Sequence, residues 1–425
     1  MPENITNDAA QYAFDIVKAI CTQVGPGLPA TPQERERAAM IKKELESHLG
    51  AENVVVEEFS VAPDAFLSPY PSVFCMVITI LLNISMGRFT GITPWVASIA
   101  ALSFSIITPL LFIVEFLLGY ELIDPIFPKK KSLNVIGKLR KPGTTNVKRL
   151  LILSGHHDSA LENTWLRFIG YGFYFLSATF VIGSITMVIM NLIQLVGLII
   201  GSVIIVHLGT MGWVLLVYPI APSIIYVMFL TRGRKNGGNV PGAADNLSAS
   251  AVAVSMCRFL VKNPSYIPDE MEIRFISFGS EEAGVRGSRR YVERHLDELK
   301  RLDARLLNFE IIAHPEIAIL TTELNGTVKN SPEMVKSVVT AAQRAGVPYK
   351  AASASIGAGS DAAPFSKAVL KATTVLAFKV PQQMVAFYHQ KWDSPEILTI
   401  EPLLNVLKLT FEWIRNGGET IKLEN

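Results

Sequence analysis

Apolar and polar positions divide this chain into two kinds of segment. In the first kind, apolar runs of buried-strand length at 150–153, 273–278, 306–309 and 373–378 alternate with helical patterns at 248–262, 333–345 and 402–415. That alternation predicts an α/β fold, a mostly parallel mixed sheet flanked by helices. A further helix is signalled by Thr31 as N-cap, Pro32 at the first helical position, Glu34 three residues after the cap, and Ile41, Leu45 and Leu49 four apart before Gly50. The second kind has almost no polar punctuation. Residues 71–114 contain a single charge, Arg88, and residues 168–231 contain none, whereas a bilayer-spanning helix needs only about 20 apolar residues.

Arg88, with Gly87 and Gly91 around it, marks a turn that gives spans near 71–87 and 92–118, a helical hairpin. The second stretch offers breaks at 191–194 and 207–212, so two long spans or three short ones fit by length. The flanking segments read as pieces of one soluble domain and must lie on one side of the membrane. Each insertion therefore crosses an even number of times, which gives about four transmembrane helices in an integral membrane protein. Trp95, Trp165 and Tyr218 lie near candidate span ends, where aromatic residues favour the interface. The predicted organisation is one discontinuous domain from 1–65, 132–162 and 238–425, interrupted by a transmembrane hairpin at 70–125 and a transmembrane insertion at 165–231. Lys129, Lys130, Lys131, Arg167, Arg232, Arg234 and Lys235 flank the insertions on the domain side against Arg88 alone on the other, so the positive-inside rule places the domain in the cytoplasm.

Composition agrees with a chain partly in lipid: half of its 425 residues are hydrophobic and the mean hydropathy is +0.34. A net charge of +2 gives no reason to expect a nucleic-acid partner. Cys21, Cys75 and Cys257 show no metal-ligand spacing and imply no disulfide framework. The polar opening segment lacks the apolar core of a signal peptide. Apart from Glu115 near a helix end, the insertions carry no intramembrane acidic or basic residues to move ions, which argues against a transporter.

Polar clusters sit at the ends of the predicted strands, where open α/β sheets place their ligands. They are Ser154-Gly155-His156-His157-Asp158-Ser159, Gly242-Ala243-Ala244-Asp245-Asn246, Ser280-Glu281-Glu282-Ala283-Gly284 and Leu307-Asn308-Phe309-Glu310, with Tyr388-His389-Gln390-Lys391-Trp392-Asp393 late in the chain. Imidazole nitrogens and carboxylate oxygens are what zinc takes at neutral pH, and two zinc ions about 3.5–4 Å apart need a carboxylate able to bridge them. One histidine and one acid per metal, one shared acid and a spare acid as base make a sufficient set. Taken singly each cluster is weak, since adjacent glutamates are usually a solvated face and a lone histidine is usually packed or exposed. Their order is the informative signal.

His-x-Asp-Ser, Asp-Asn before a small-residue helix, Glu-Glu-x-Gly-x-x-Gly-Ser, Leu-Asn-Phe-acid and Tyr-His-x-x-x-Asp, in that order, resemble the zinc exopeptidase family M28 of clan MH, which includes bacterial leucyl aminopeptidases, aminopeptidase Y and glutamate carboxypeptidase. The resemblance covers 10–65, 132–160 and 238–415 and extends to Gly359-Ser360-Asp361-Ala362-Ala363-Pro364-Phe365, which looks like the family's Ser-Asp-x-x-Pro-Phe segment near the substrate pocket. It implies a zinc aminopeptidase-like fold with a phosphorylase/hydrolase-like core. It also implies a di-zinc metallopeptidase acting on peptides at a free amino terminus. By motif, His156 and Glu310 are implied as ligands of one zinc, His389 and Glu282 of the other, with Asp245 bridging. Glu281 is implied as general base, Asp158 as the partner of the second His156 nitrogen, and Asp393 as a similar partner near His389. Ser360, Asp361 and Tyr388 are implied at the substrate pocket. Soluble members usually have aspartate where this chain has Glu310, which reads as a variant site. His157 and His314 are expected to be structural, and His48, His207 and His295 have no chemical neighbours in sequence.

The second insertion falls between His156 and Asp245, two expected ligands of one zinc. An active site at the membrane surface follows as an expectation, with its mouth partly walled by Trp165 and Arg167 and its substrates short peptides arising at the bilayer. The plainer alternative is that the hairpins are anchors and the site opens away from the lipid. Two other functions compete with peptide hydrolysis: a catalytically degenerate membrane scaffold or receptor, and a related amide hydrolase or cyclase.

Overall fold

The computed structural model describes residues 5–66, 70–85, 93–211, 238–354 and 359–420. The chain forms two compact units, one drawn from Met1–Pro63, Phe127–Glu162 and Gly233–Asn425, the other from Asp64–Ile126 and Asn163–Arg232.

Among the described residues the first unit has ten strands: β1 Val54–Val61, β2 Lys130–Arg140, β3 Arg149–His156, β4 Met271–Phe278, β5 Arg305–Glu310, β6 Ile317–Leu320, β7 Thr322–Glu323, β8 Val328–Lys329, β9 Tyr349–Ala352 and β10 Lys371–Leu376. Eight of them form one sheet in the order β1-β2-β4-β3-β5-β10-β6-β9, and β7 pairs with β8 separately. The centre, β4-β3-β5-β10, is parallel, while β1, β2 and the β10–β6 pairing introduce antiparallel contacts. This is the mostly parallel, helix-covered α/β fold expected. The apolar runs mark only the middles of their strands; β3 continues to His156 because its polar end is also buried.

Central strands read as continuous apolar runs because both faces are covered. Leu151 and Leu153 of β3 point into the layer containing Val252, Met256 and Trp413, and the alternate residues Leu150 and Ile152 into the layer containing Tyr291 and Phe365. Helix Ser248–Lys262 packs tightly on β3. A Cβ built on Gly155 would lie 2.5 Å from the Ala249 Cβ and 2.8 Å from the Ser250 backbone nitrogen, so only glycine fits there. Helix Pro32–Leu49 starts as the sequence signals, with the Thr31 hydroxyl accepting from the Glu34 N–H at 3.3 Å, and stops at Gly50 with φ +83°.

The second unit contains helices Tyr70–Ser85, Pro94–Leu111 continuing through a π-helical segment Phe112–Leu117, Thr164–Ile169, Gly172–Ile199 and 203–211. Trp165 and Arg167 lie on the short helix Thr164–Ile169. Two stretches, Pro94–Leu117 and Ala178–Ile199, are long and apolar enough to cross a membrane, and Tyr70–Ile84 is a shorter apolar helix. The expected turn at Arg88, the aromatic Tyr218 and the basic Arg232, Arg234 and Lys235 lie outside the described residues.

The break expected at 191–194 is not found, and the one expected at 207–212 extends beyond the last described residue of helix 203–211. Helix Gly172–Ile199 runs unbroken through 191–194 and stops at Ile200 and Gly201, the latter with φ +71°. The reason is that the polar side chains are satisfied inside the helical unit. Asn191 donates to the Met187 carbonyl in its own helix and accepts from Asn83 at 2.9 Å, while Gln194 donates to Asn83 and Thr210 and accepts from Ser98.

The prediction for the fold concerns the seam under the site. Gly155→Ala must move helix Ser248–Lys262 off β3, and overpacking of this kind costs about 1–3 kcal/mol. A thermal-unfolding midpoint equal to wild type would show that the seam is not tight.

Candidate metal centre

His156 ends β3 and Glu310 ends the adjacent parallel strand β5, so both side chains stand at the carboxyl edge of the sheet. Glu281 and Glu282 occupy the turn after β4, the other neighbour of β3, behind Ser280, whose φ is +53°. Asp245 belongs to the loop before helix Ser248–Lys262, and His389 follows helix Gln382–Ala386 with φ +51°. Five segments far apart in sequence thus converge at one end of the sheet, as in other open α/β folds.

The separations are short. His156 Nε2 lies 3.3 Å from Asp245 Oδ1, 3.4 Å from Glu310 Oε1 and 3.7 Å from Glu281 Oε2. His389 Nε2 lies 3.2 Å from Asp245 Oδ2 and 3.4 Å from Glu282 Oε1. Asp245 therefore offers one oxygen to each imidazole. Two groups share it, His156 with Asp245 and Glu310, and Asp245 with Glu282 and His389; a third joins His156 with Glu281 and Glu282. Tetrahedral zinc with ligands at 2.0–2.2 Å places neighbouring donors about 3.3–3.6 Å apart, and the observed spacings fall in or next to that range. His156 Nε2 has three carboxylates around it yet is buried without a hydrogen bond. Burial alone would lower this imidazole, but Asp158, Asp245 and Glu310 raise it well above its usual range, so the position favours positive charge, and the donor set fits zinc.

Electrostatics favour the same conclusion. Burial pushes the carboxyls of Glu281 and Glu282 up and that of Glu310 up to about 8, with the imidazoles opposing it only in part. Burial alone would lower His389, but Glu282 and Asp245 raise it to about 10. Asp245 is held well below the usual carboxylate range; burial resists this, but its two imidazole partners outweigh it. So many buried acids are costly without compensating positive charge, which divalent cations would provide.

Asp158 is within 3.4 Å of His156 Nδ1, but its two oxygens also accept the backbone N–H groups of Glu281 and Glu282, each at 3.0 Å. Asp393 takes a different place from that implied by motif: it accepts from the Ala244 and Asp245 N–H groups at 2.7 and 3.0 Å, bonding the Asp245 loop and not the His389 ring. Ser360 is buried and donates to Glu323 at 2.9 Å, with Thr374 at 2.7 Å, so its hydroxyl is engaged within the fold. Asp361 is fully buried; burial pushes it up to about 7, the Ser288 hydroxyl opposes this in part, and its charge acts on Glu281 and Glu310. Tyr388 stacks on His389 at 3.8 Å between centroids and 22° between planes. His157 is buried against the Ser277 hydroxyl at 2.9 Å and burial lowers it to about 4, the setting of a neutral packed residue. His314 Nδ1 accepts the Glu316 N–H at 3.1 Å within its own loop.

Three further residues hold this geometry in roles that the sequence did not signal. Asn246 donates to the Phe309 carbonyl and accepts from the Ile311 N–H, tying the Asp245 loop to the end of β5. Arg37 is buried and donates to the carbonyls of Gly25, His157 and Pro241, joining three loops. Glu34, legible only as a helix-start residue, bonds the turn that carries Glu281.

Residues 227–414 match the family described as Peptidase family M28. That span includes Asp245, Glu281, Glu282, Glu310 and His389, while His156 and Asp158 precede it. Aminopeptidase YwaD of Bacillus subtilis is 32% identical over 185 residues, 43% of this chain; the match spans 38% of that relative. A zinc aminopeptidase structure from Bacillus subtilis superposes with a TM-score of 0.54 at 15% identity, covering 96% of this chain and 95% of that one. A glutaminyl cyclase from an Acidobacteriales bacterium gives 0.54 at 12% identity, covering 98% and 96%. These low-identity likenesses establish the fold, which is like that of the zinc aminopeptidases, and over residues 227–414 the sequence is similar to peptidase family M28.

Proposed function

We propose that this protein is a membrane-anchored di-zinc aminopeptidase. The observation that carries the reading is the sharing of Asp245 between two imidazoles, each with its own further carboxylate. His156, Glu310 and Asp245 would hold one zinc, and His389, Glu282 and Asp245 the other. Zinc bound there supplies Lewis acidity, lowering the pKa of water and polarising the scissile carbonyl.

Glu281 has the role left over. Its carboxylate accepts a proton from the attacking water as the new C–O bond forms and returns it to the leaving amine as the C–N bond breaks. Asp158 keeps Glu281 and Glu282 in place through their backbone N–H groups, and Asp393 does the same for Asp245. Tyr388, kept protonated by burial and by the carboxylates around it, is available as a donor to the substrate. The choice of the amino terminus rests on Asp361. A buried carboxylate suits the substrate's free ammonium and would repel the free carboxylate that a carboxypeptidase must receive.

The membrane part of the reading rests on the inverted pattern of the helical unit. Thr79, Asn83, Ser98, Asn191 and Gln194 are buried, while Phe74, Leu81, Ile99, Ile182 and Ile189 are exposed. Polar contacts inside and apolar side chains outside suit lipid as the surrounding solvent. We read four crossings with the peptidase domain on the cytoplasmic side, and substrates that are short peptides arising at the bilayer. Glutaminyl cyclases share the fold, so a second reading is cyclisation of amino-terminal glutamine, which releases ammonia and cleaves no peptide bond.

Three outcomes are expected. Purified protein binds about two zinc ions per chain by mass spectrometry, Asp245→Ala loses both and His389→Ala loses one; wild-type protein without zinc would favour the scaffold reading. Glu281→Gln lowers kcat on aminoacyl chromogenic substrates by about 10²–10⁴-fold with its zinc retained, and an amino-terminal glutamine peptide that loses only ammonia would shift the assignment to a cyclase. The protein stays with membranes through alkaline carbonate washing and cleaves apolar, lipid-partitioned peptides faster than equally short polar ones; release by the wash would remove the anchor, and equal rates would remove the bilayer substrate.

A further inference from the structure

The turn after β4 is held by carboxylates at three successive backbone amides. Ser280 N donates to Glu34 Oε1 at 2.8 Å, Glu281 N to Asp158 Oδ1 at 3.0 Å and Glu282 N to Asp158 Oδ2 at 3.0 Å. Asp158 adjoins His156, so its presence is explained by the site. Glu34 comes from the first turn of helix Pro32–Leu49, about 120 residues earlier than the nearest proposed ligand in sequence.

A helix start does not account for it. The cap is supplied by Thr31, whose hydroxyl accepts from the Glu34 N–H. The Glu34 side chain is 1% exposed and takes four hydrogen bonds: the Ser280 N–H, the Ser280 hydroxyl at 2.9 Å and the Ser132 hydroxyl at 3.0 Å on Oε1, and the Ala30 N–H at 2.8 Å on Oε2. It joins three pieces of the domain: the loop before its own helix, the start of β2, and the turn after β4. What it grips is also strained, since Ser280 has φ +53°, a left-handed conformation that a non-glycine residue keeps only when its surroundings impose it. The next residue along is Glu281.

We propose that Glu34 is a positioning residue of the peptidase, fixing the Ser280 turn so that the Glu281 carboxylate is held over the metal cluster. The inference rests on Glu281 being the general base. Glu34 touches neither substrate nor metal in this scheme and acts only through Ser280.

The test is Glu34→Gln, alone and combined with Glu281→Gln. The amide has the same shape, but whichever way it sits its NH₂ replaces an acceptor facing an N–H donor. Loss of such an outer support typically costs 10–100-fold in activity. The expected result is a fall of roughly ten- to a hundred-fold in kcat, with KM and zinc content unchanged. In the Glu281→Gln background the substitution should cost nothing further, because no base remains to be positioned. An unchanged kcat, a loss of zinc, or an equal fall in both backgrounds would overturn the proposal and make Glu34 a general structural residue. If Glu34→Gln does not fold, Ser280→Ala and Ser132→Ala each remove one hydroxyl from the same carboxylate and should show the same kcat-only pattern at smaller amplitude; its absence in both counts against the proposal equally. Failure of the underlying reading has its own signature, a Glu281→Gln enzyme as active as wild type.

Discussion

The carboxylate of Asp245 lies between two imidazoles, 3.3 Å from His156 and 3.2 Å from His389, and the surrounding structure is arranged to keep it there. One carboxylate can serve two partners only if its position is fixed in all three dimensions. Three restraints do this. Asp393 accepts the N–H groups of Ala244 and Asp245, Asn246 clamps the loop to the end of β5, and Gly242, with φ +67°, makes a turn in which a Cβ would lie 2.7 Å from the Asp245 carbonyl. The sheet supplies the remainder of the geometry. Because β4, β3 and β5 are adjacent and parallel, Glu281, His156 and Glu310 emerge side by side at one edge.

The same arrangement concentrates acids in a buried volume, and their mutual repulsion is the constraint that the neighbouring residues must meet. Asp158, Glu34 and Asp393 are each buried and each accept backbone N–H groups, so part of their charge is compensated by the main chain. Burial raises Glu34 and Asp393 as it raises Glu281, Glu282, Glu310 and Asp361, but the last four do not have backbone N–H groups directed at them in the same way. The division is informative. Acids that serve as struts have their hydrogen bonds filled within the fold, whereas acids proposed to meet metal, water or substrate keep oxygens available for them. Such incompletely satisfied buried groups are expected at functional sites and are costly elsewhere.

This division also explains what was legible in the sequence. The groups proposed to face ligands occur as short polar words directly after apolar runs, so His156, Glu281, Glu282 and Glu310 stood out against the strands that carry them. The central strands were legible for a related reason: with both faces covered, they have no polar alternation to blur the pattern. Struts leave no such mark. Glu34 looks like any acidic residue in a first helical turn, Arg37 like any charge on a polar helix, and Asn246 like part of the Asp245 word. Their roles depend on which loops the sheet order brings together, and the order β2-β4-β3-β5 is not encoded in local periodicity. Likewise, Asn191 and Gln194 looked like helix breakers because the partners that satisfy them, Asn83, Ser98 and Thr210, lie on other helices.

An insertion of this size between His156 and Asp245 would be expected to loosen the site, since each residue of slack between two members of one cluster adds conformational freedom. Loop-closure cost, however, grows only slowly with length, so what matters is whether the two ends are fixed where they leave the domain. They are. Asn239 donates to Glu162 Oε2 at 3.2 Å, joining the last segment before the insertion to the first described segment after it. Ser159 adds a second tie: its hydroxyl accepts the Gly27 N–H at 3.0 Å while its own N–H donates to the Gly27 carbonyl at 2.9 Å. Arg37 binds the carbonyls of His157 and Pro241, one on each side of the insertion. The chain therefore closes on itself within the domain before and after the apolar helices, and the distance from His156 to Asp245 is set by that closure and not by the 88 residues that separate them in sequence.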